Sequence, residues 1–352
     1  MKEVFQNPIY IDVFEARQNA ENAIKYACSW VPRELLESFD LKTARLMGCG
    51  TPSHESAGER KLSGEVCSFC KTIAGAPDSG APVIGCTSCD QMRRLSEIIL
   101  SERNDAGFMV NVPKTCTDNS KELYRSEINA LCSHLESLTG KSLTDESLNI
   151  GKLKSVCDKR NFIRSKLRLL RKSLSAVDFH CLVHLESQTD PDFMISYLEK
   201  PFKTKISPKK KTMLAGSPLT LEDAAFLKLL EDSGFDIVFN ATCTGDRSID
   251  FDVLIKDDPI TDLADSYFNR PPCIWKRPND SFYSYVSKKL GETGATSVIW
   301  RSVRYCDLWN IEAQRAKQII NLPMLVLDMN YSDTCSPRTA TRVEAFRESL
   351  PQ

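Results

Sequence analysis

Residues 81–100 read APVIGCTSCDQMRRLSEIIL. The apolar run APVIG has the look of a buried strand, and the stretch from Asp90 onward repeats its apolar residues with the 3.6 period of a helix. Cys86-Thr87-Ser88-Cys89 forms the elbow between them. A strand that runs straight into a helix is half of a parallel β/α unit. The elbow at its carboxyl end is where open sheets of this kind bind ligands.

The same alternation extends in both directions. TARLMG (43–48) and GFMVNV (107–112) read as strands in the first half, and TMLAG (212–216), DIVFNA (236–241), TSVIWRS (296–302) and PMLVLDM (323–329) in the second. Helical periodicity covers 220–233, 280–292, 309–320 and the stretch from about 337. Upstream, residues 10–25 read as a helix, broken at Cys28-Ser-Trp-Val-Pro32 before the short helical PRELLESF. From Thr144 to about Ser175 the chain is helical and basic, and lysine-rich KTKISPKKKT (203–212) follows. At 352 residues the chain is too long for one ordinary core and suits two. The expected organisation is an N-terminal helical segment (1–40), a first α/β domain (41–142), a helical bridge and basic linker (143–205) and a second α/β domain (206–352).

Lys and Arg number 46 against 47 Asp and Glu, so no overall field attracts nucleic acid or an anionic membrane surface. No stretch of apolar residues is long enough to span a bilayer, and the charged, amphipathic start does not resemble a signal peptide. A cytoplasmic protein without nucleic-acid or membrane partners is expected. The 14 cysteines are then the outlying feature. A chain of this size does not need disulfides to make up for a small core, which points to metal. At least half of the set is expected to be small buried apolar residues, namely Cys49, Cys116, Cys132, Cys157, Cys181 and Cys335 with one or two more.

Cys67-x2-Cys70 and Cys86-x2-Cys89, 15 residues apart, have the spacing of a structural zinc site. A zinc ribbon, however, sets its pairs on tight antiparallel knuckles, whereas Cys89 here opens a helix. Two more strands end in the same way, DIVFNAT in Cys243 and TSVIWRSVRY in Cys306. Parallel strands share one carboxyl edge, so Cys89, Cys243 and Cys306 are expected to face a common crevice. Three soft thiolates there suit an iron-sulfur cluster, with one iron left open to substrate.

A series of ordered blocks resembles the superfamily of 2-hydroxyacyl-CoA dehydratases and benzoyl-CoA reductase subunits, to which the 2-hydroxyglutaryl-CoA dehydratase D-component family belongs. The blocks include CSWVPREL (28–35), EVCSFCKTIAG (65–75), TSCDQMRRLSE (87–97), MLAGSPL (213–219), ATCTGDR (241–247), DPITDLADSYFNRPPC (258–273) and VRYCDLWNIE (303–312). The resemblance implies two flavodoxin-like (Rossmann-like) parallel-sheet domains with additional helices, and a [4Fe-4S] cluster held by Cys67, Cys89 and Cys306. Cys28, Cys243, Cys273, Cys70 and Cys86 are weaker candidates. It also implies an oxygen-sensitive, anaerobic lyase made of two related subunits, served by an ATP-dependent iron-sulfur activator protein and acting on an acyl-CoA substrate. In such chemistry one added electron turns a 2-hydroxyacyl thioester into a ketyl radical, which expels the neighbouring hydroxide. The resemblance also covers benzoyl-CoA reductase-type and double-cubane low-potential reductase subunits. A zinc-stabilised α/β interaction protein is the alternative outside the superfamily.

Several motifs invite a weaker reading. Glu34, His54 and Glu55 lie in blocks near the expected site and are the candidates for a proton base, each more simply structural. The basic stretch 152–172 is expected to be a solvated helix face rather than a coenzyme A contact. Gly140-Lys141-Ser142 resembles the tail of a phosphate loop, but Leu135 stands where the first glycine is needed. His134, His180 and His184, and Trp30, Trp275, Trp300 and Trp309, are expected to be structural.

Overall fold

The computed structural model describes residues 4–62, 65–77, 79–102, 107–142, 149–205 and 209–351. It contains two four-stranded sheets in which every pairing is parallel. The first is built from β1 (Ile24–Tyr26), β2 (Thr43–Arg45), β3 (Val83–Cys86) and β4 (Phe108–Val110), in the order β2-β1-β3-β4. The second uses β5 (Lys210–Gly216), β6 (Phe235–Asn240), β7 (Ser297–Val303) and β8 (Met324–Met329), in the order β6-β5-β7-β8. Numbered within each sheet, both orders are 2-1-3-4, the first four strands of the flavodoxin arrangement. The expected α/β class with two such sheets is therefore what the chain adopts.

One expected element is different. The helix read over 10–25 is α1 (Pro8–Asn19), and the last part of that stretch is strand β1. Asn7 caps α1 through its side chain, with Pro8 at the first helical position. Ile24 and Tyr26 are buried while Lys25 is half-buried between them, which is the alternation of a strand. β1 lies between β2 and β3, so the first sheet has a central strand that the helical reading hid.

The remaining helices are α2 (Arg33–Ser38), α3 (Pro52–Lys61), α4 (Ser68–Ala74), α5 (Asp90–Ser101), α6 (Asp118–Thr139), α7 (Asn149–Leu170), α8 (Ala176–Glu186), α9 (Pro191–Tyr197), α10 (Ala224–Asp232), α11 (Pro259–Phe268), α12 (Asp280–Thr293), α13 (Asp307–Ile320) and α14 (Pro337–Ser349). The two halves interleave. α1 packs on α8 and the core of the second sheet, through Ile9, Tyr10 and Val13 with Leu182, Leu227 and Ile299. α11 packs the other way, setting Leu263, Tyr267 and Phe268 against Tyr124, Ile128 and Ile84 of the first sheet's core.

The basic stretch is a solvated face only in part: Lys154, Lys166 and Lys172 are exposed, but the arginines are not. Arg160 and Arg164 of α7, and Arg171 just past its end, are buried. Arg160 pairs with Glu37 and Glu186, Arg164 with Glu34, and Arg171 with Asp246. Arg168 pairs with Asp252 at 3.0 Å. Three arginines at helical spacing on α7, with Arg171 just beyond its end, thus fasten α2 and the loop after β6 to this segment. The start of the expected basic helix, 144–148, and residues 206–208 of the lysine-rich stretch lie outside the described residues. Lys210 and Lys211 belong to β5, not to a linker. Gly140 caps α6 in the left-handed conformation, and Lys141 pairs with Asp40. Among the described residues no helix is long and apolar enough to cross a membrane.

Candidate functional site

Cysteines stand at the carboxyl ends of strands in both sheets. Cys28 follows β1, Cys89 follows β3, Cys243 follows β6 and Cys306 follows β7. Cys89 and Cys306 occupy the capping positions of α5 and α13, and the Cys89 sulfur accepts the Met92 amide at 3.5 Å. The free N–H groups and positive dipole end of a helix favour the thiolate at such a position. Cys67 caps α4 and Cys70 sits in its first turn. The Cys67 backbone N–H donates to the Gln91 side chain of α5 at 3.1 Å, which ties the two cysteine segments together.

Cys28, Cys67, Cys70, Cys89, Cys243, Cys273 and Cys306 all line one cavity of about 270 Å³ between the two sheets. It lies where the strand order reverses in each sheet, between β1 and β3 on one side and between β5 and β7 on the other. Gly216, the last residue of β5, is part of its wall at φ 144°, and a Cβ there would meet the Arg301 carbonyl oxygen at 1.7 Å. Only glycine allows that approach. Trp30, Trp275 and Trp309 also line the cavity, so three of the four tryptophans bound the site, while Trp300 packs beneath it against Trp309. Lys114, Arg277, Asp90 and Asp307 also line it, and both carboxylates are exposed to solvent.

Cys86 does not line this cavity. It ends β3 inside the core of the first sheet, where its free thiol lies beside that of Cys28. Among the described residues no three His, Cys, Asp or Glu side chains converge on one ion-sized point. Cys67, Cys70, Cys86 and Cys89 are thus not assembled as a tetrahedron, because Cys86 is turned into the sheet while the other three face the cavity. Of the thiols expected to be plain core residues, Cys132, Cys157 and Cys181 are buried, Cys49 and Cys335 are partly buried, and Cys116 is exposed.

The thiols crowd one another. Cys67 lies within hydrogen-bonding reach of both Cys306 and Cys70. The bond from Cys306 eases its ionisation, but Cys70, burial and the charge of Cys89 outweigh that and hold Cys67 well above the ordinary thiol range. Cys67 and burial push Cys306 well up. Burial pushes Cys89 up to about 12. Cys28 moves the other way, because the Cys86 thiol hydrogen-bonds to it and Arg45 stands close by, against the effect of burial. A packed set of soft donors that resist ionising together fits a cationic metal core, which supplies the missing positive charge. A cavity with thiols on its walls also suits a cluster better than a single ion, whose ligands must meet at a point.

Two buried cations missed in the sequence complete the chemistry. Arg45, at the end of β2, donates to the Cys243 carbonyl at 2.6 Å and to its sulfur at 3.2 Å. Arg247 donates to the carbonyls of Ala241 and Pro272 and lies beside Cys273. The strand-end rule that singled out the cysteines also marks Arg45. None of the base candidates lines this cavity. Glu34 is fully buried, held by Arg164 and by the Tyr267 hydroxyl at 2.6 Å. His54 accepts or donates at Thr51 Oγ1, 2.7 Å away, on α3, where Glu55 also sits. His180 and His184 are buried against each other at 4.3 Å, and His134 packs on Phe108.

The sequence profile of the family described as 2-hydroxyglutaryl-CoA dehydratase, D-component, matches residues 28–350. The chain belongs to that family. It is similar to the dehydratase subunit YjiM of Escherichia coli K12, at 20% identity over 97% of this chain and 94% of that protein. It is also similar to the (R)-phenyllactyl-CoA dehydratase beta subunit of Clostridium sporogenes, at 20% identity over 99% of this chain and 97% of that one. The matched span of this dehydratase-family chain takes in every cysteine that lines the cavity.

Proposed function

We propose that the chain is the iron-sulfur subunit of a 2-hydroxyacyl-CoA dehydratase, a lyase that eliminates water from its thioester substrate. The observation that carries this reading is the gathering of seven cysteines from distant segments on one interdomain cavity. Cys67, Cys89 and Cys306 would hold a [4Fe-4S] cluster, with Cys28, Cys70, Cys243 and Cys273 as neighbouring thiols. When bound, the cluster would supply a low-potential electron and a Lewis-acidic iron, the chemistry that a ketyl-radical elimination of water requires.

The chain's own residues have defined tasks in this account. Arg45 and Arg247 place buried positive charge beside the thiol wall and balance negative charge there. Trp30, Trp275 and Trp309 make the wall largely apolar, which keeps water from a reactive radical. Lys114 and Arg277 line the same opening and suit the anionic groups of an acyl-CoA. A second, homologous subunit and an ATP-dependent iron-sulfur activator complete the system, and one relative's name as a beta subunit supports the first of these.

The test is an anaerobic assay of the chain with its homologous partner and an activator, following the loss of a 2-hydroxyacyl-CoA. Turnover that requires ATP and ceases in Cys89→Ser or Cys306→Ser supports the proposal. Turnover unaffected by both substitutions contradicts it. A second reading in the same superfamily, a double-cubane or benzoyl-CoA reductase-type low-potential reductase, is favoured by one observation: seven thiols exceed the needs of one cluster. Iron and sulfide per chain separate the two.

A further inference from the structure

A second, smaller cavity of about 50 Å³ lies on the other side of Arg45, toward α8 and α11. By the measure in which one water takes about 10–15 Å³, it has room for roughly three waters or one compact ion. Its walls are unusually cationic: Arg33, Arg45, Arg164 and Arg270 all line it, with Glu186 as the one acidic residue.

The surrounding ionic network does not balance. Arg33, Arg45, Arg160, Arg164 and Arg270 are each at least nine-tenths buried. The carboxylates that face them are Glu34, Glu37 and Glu186. Arg33, Arg160 and Arg164 take up all three. That leaves Arg45, whose charge is turned to the thiols of Cys243 and Cys28, and Arg270 with no acidic partner. Arg45 reaches Cys243 with its two terminal nitrogens, while its Nε is buried with no hydrogen-bond partner among the described residues. Arg270 makes no side-chain hydrogen bond or ion pair among the described residues. Its guanidinium lies over the rings of Phe251, Tyr267 and Trp30, at 4.5, 5.6 and 5.8 Å from their centres. Ring faces attract the charge but do not accept five N–H donors. Uncompensated buried charge is among the costliest features a fold can carry.

We propose that this cavity binds one compact monovalent anion, a halide or a small oxyanion such as formate, between the Arg45 Nε and the Arg270 guanidinium. The anion offsets the charge of Arg270 and accepts the unpaired donors. It is separate from the thiol cavity, which Arg270 does not line, and the proposal does not depend on which cluster or reaction that cavity serves.

The test uses the full chain, purified in gluconate. Its melting temperature is measured against chloride, bromide and formate, each titrated at constant ionic strength, and crystals soaked in bromide are examined for anomalous scattering. A saturable rise of about 2 °C or more with at least one small anion, its absence in Arg270→Met, and a bromide peak inside the cavity are expected. If formate alone stabilises, the occupant is an oxyanion and the bromide peak is replaced by formate density. Water alone in the cavity of wild-type crystals grown with these anions, together with melting temperatures that do not distinguish them from gluconate, overturns the proposal. Because the crystal result is read on the wild-type chain, it stands even if Arg270→Met fails to fold.

Discussion

The Arg45 guanidinium lies 3.2 Å from the Cys243 sulfur and donates to the carbonyl of the same residue at 2.6 Å. Arg45 ends a strand of the first sheet and Cys243 follows a strand of the second, so this one side chain joins the two sheets at the wall of the thiol cavity. Arg45→Met removes both bonds and leaves a part-buried carbonyl unpaired. The expected loss is about 1.5–3 kcal/mol of unfolding free energy, with lower retained iron. Arg45→Lys keeps the charge but not the fork and should fall between. Urea denaturation with iron assay on the same samples checks this, and equal stability of all three proteins would refute it.

Glu37 gives the acid limb of stability. Burial works against its charge, but Arg160 and Arg33 prevail and hold its carboxyl at about 2. A carboxylate whose folded value lies below its unfolded one stabilises above the unfolded value of about 4.5, and that stability fades as pH falls toward 2. The shift corresponds to about 3 kcal/mol. Glu37→Gln should flatten the decline between pH 4.5 and 2 while costing several kcal/mol at neutral pH, because two guanidiniums lose their partner. Urea midpoints across that range provide the measurement.

A separate loss should begin at higher pH. Burial lowers His180 to about 4, and it lowers its neighbour His184 well below the ordinary range. Both rings are neutral in the fold. In the unfolded chain they take up protons near 6.5, so stability is full above that value and declines as pH falls through 6.5 toward 4. For His180 the shift is worth about 3 kcal/mol. Replacing it with Asn should remove much of the dependence between pH 6.5 and 4.5, as read by thermal melting. An unchanged slope would mean that the pair is not the source.

Gly216 tests the backbone of the site. Its φ of 144° and the 1.7 Å approach of an added Cβ to the Arg301 carbonyl leave no room for a side chain. Gly216→Ala should cost more than about 2 kcal/mol and disturb the β5–β7 pairing that places Cys306. Gly291, in α12, has open space around an added Cβ, and Gly291→Ala should be neutral or mildly stabilising. Comparing the soluble yield and melting temperature of these two variants isolates the effect.

Strand-end thiols were legible because a parallel strand is a short apolar run and its helix announces itself by period. β1 was not. Ile24-Lys25-Tyr26 is three residues long and follows a real helix, so its alternation is too brief to separate from helical period, and Cys28 lost its place as a strand-end residue. Cys273 reaches the cavity from the loop between α11 and α12, where no local pattern marks it. The arginines of α7 looked like a solvated face because their partners lie far away in sequence, Glu34 and Glu37 being more than 120 residues upstream of Arg164 and Arg160. Charge alone does not tell a wet face from a buried network. Only the positions of the carboxylates do.

Iron and acid-labile sulfide in the chain purified without oxygen, measured beside the Cys67→Ser, Cys89→Ser and Cys306→Ser variants, decide whether the thiol cavity holds a cluster. About four of each per chain are expected, lost together when any of the three cysteines is replaced. A colourless protein with no sulfide, or a cluster that survives all three substitutions, would contradict the account.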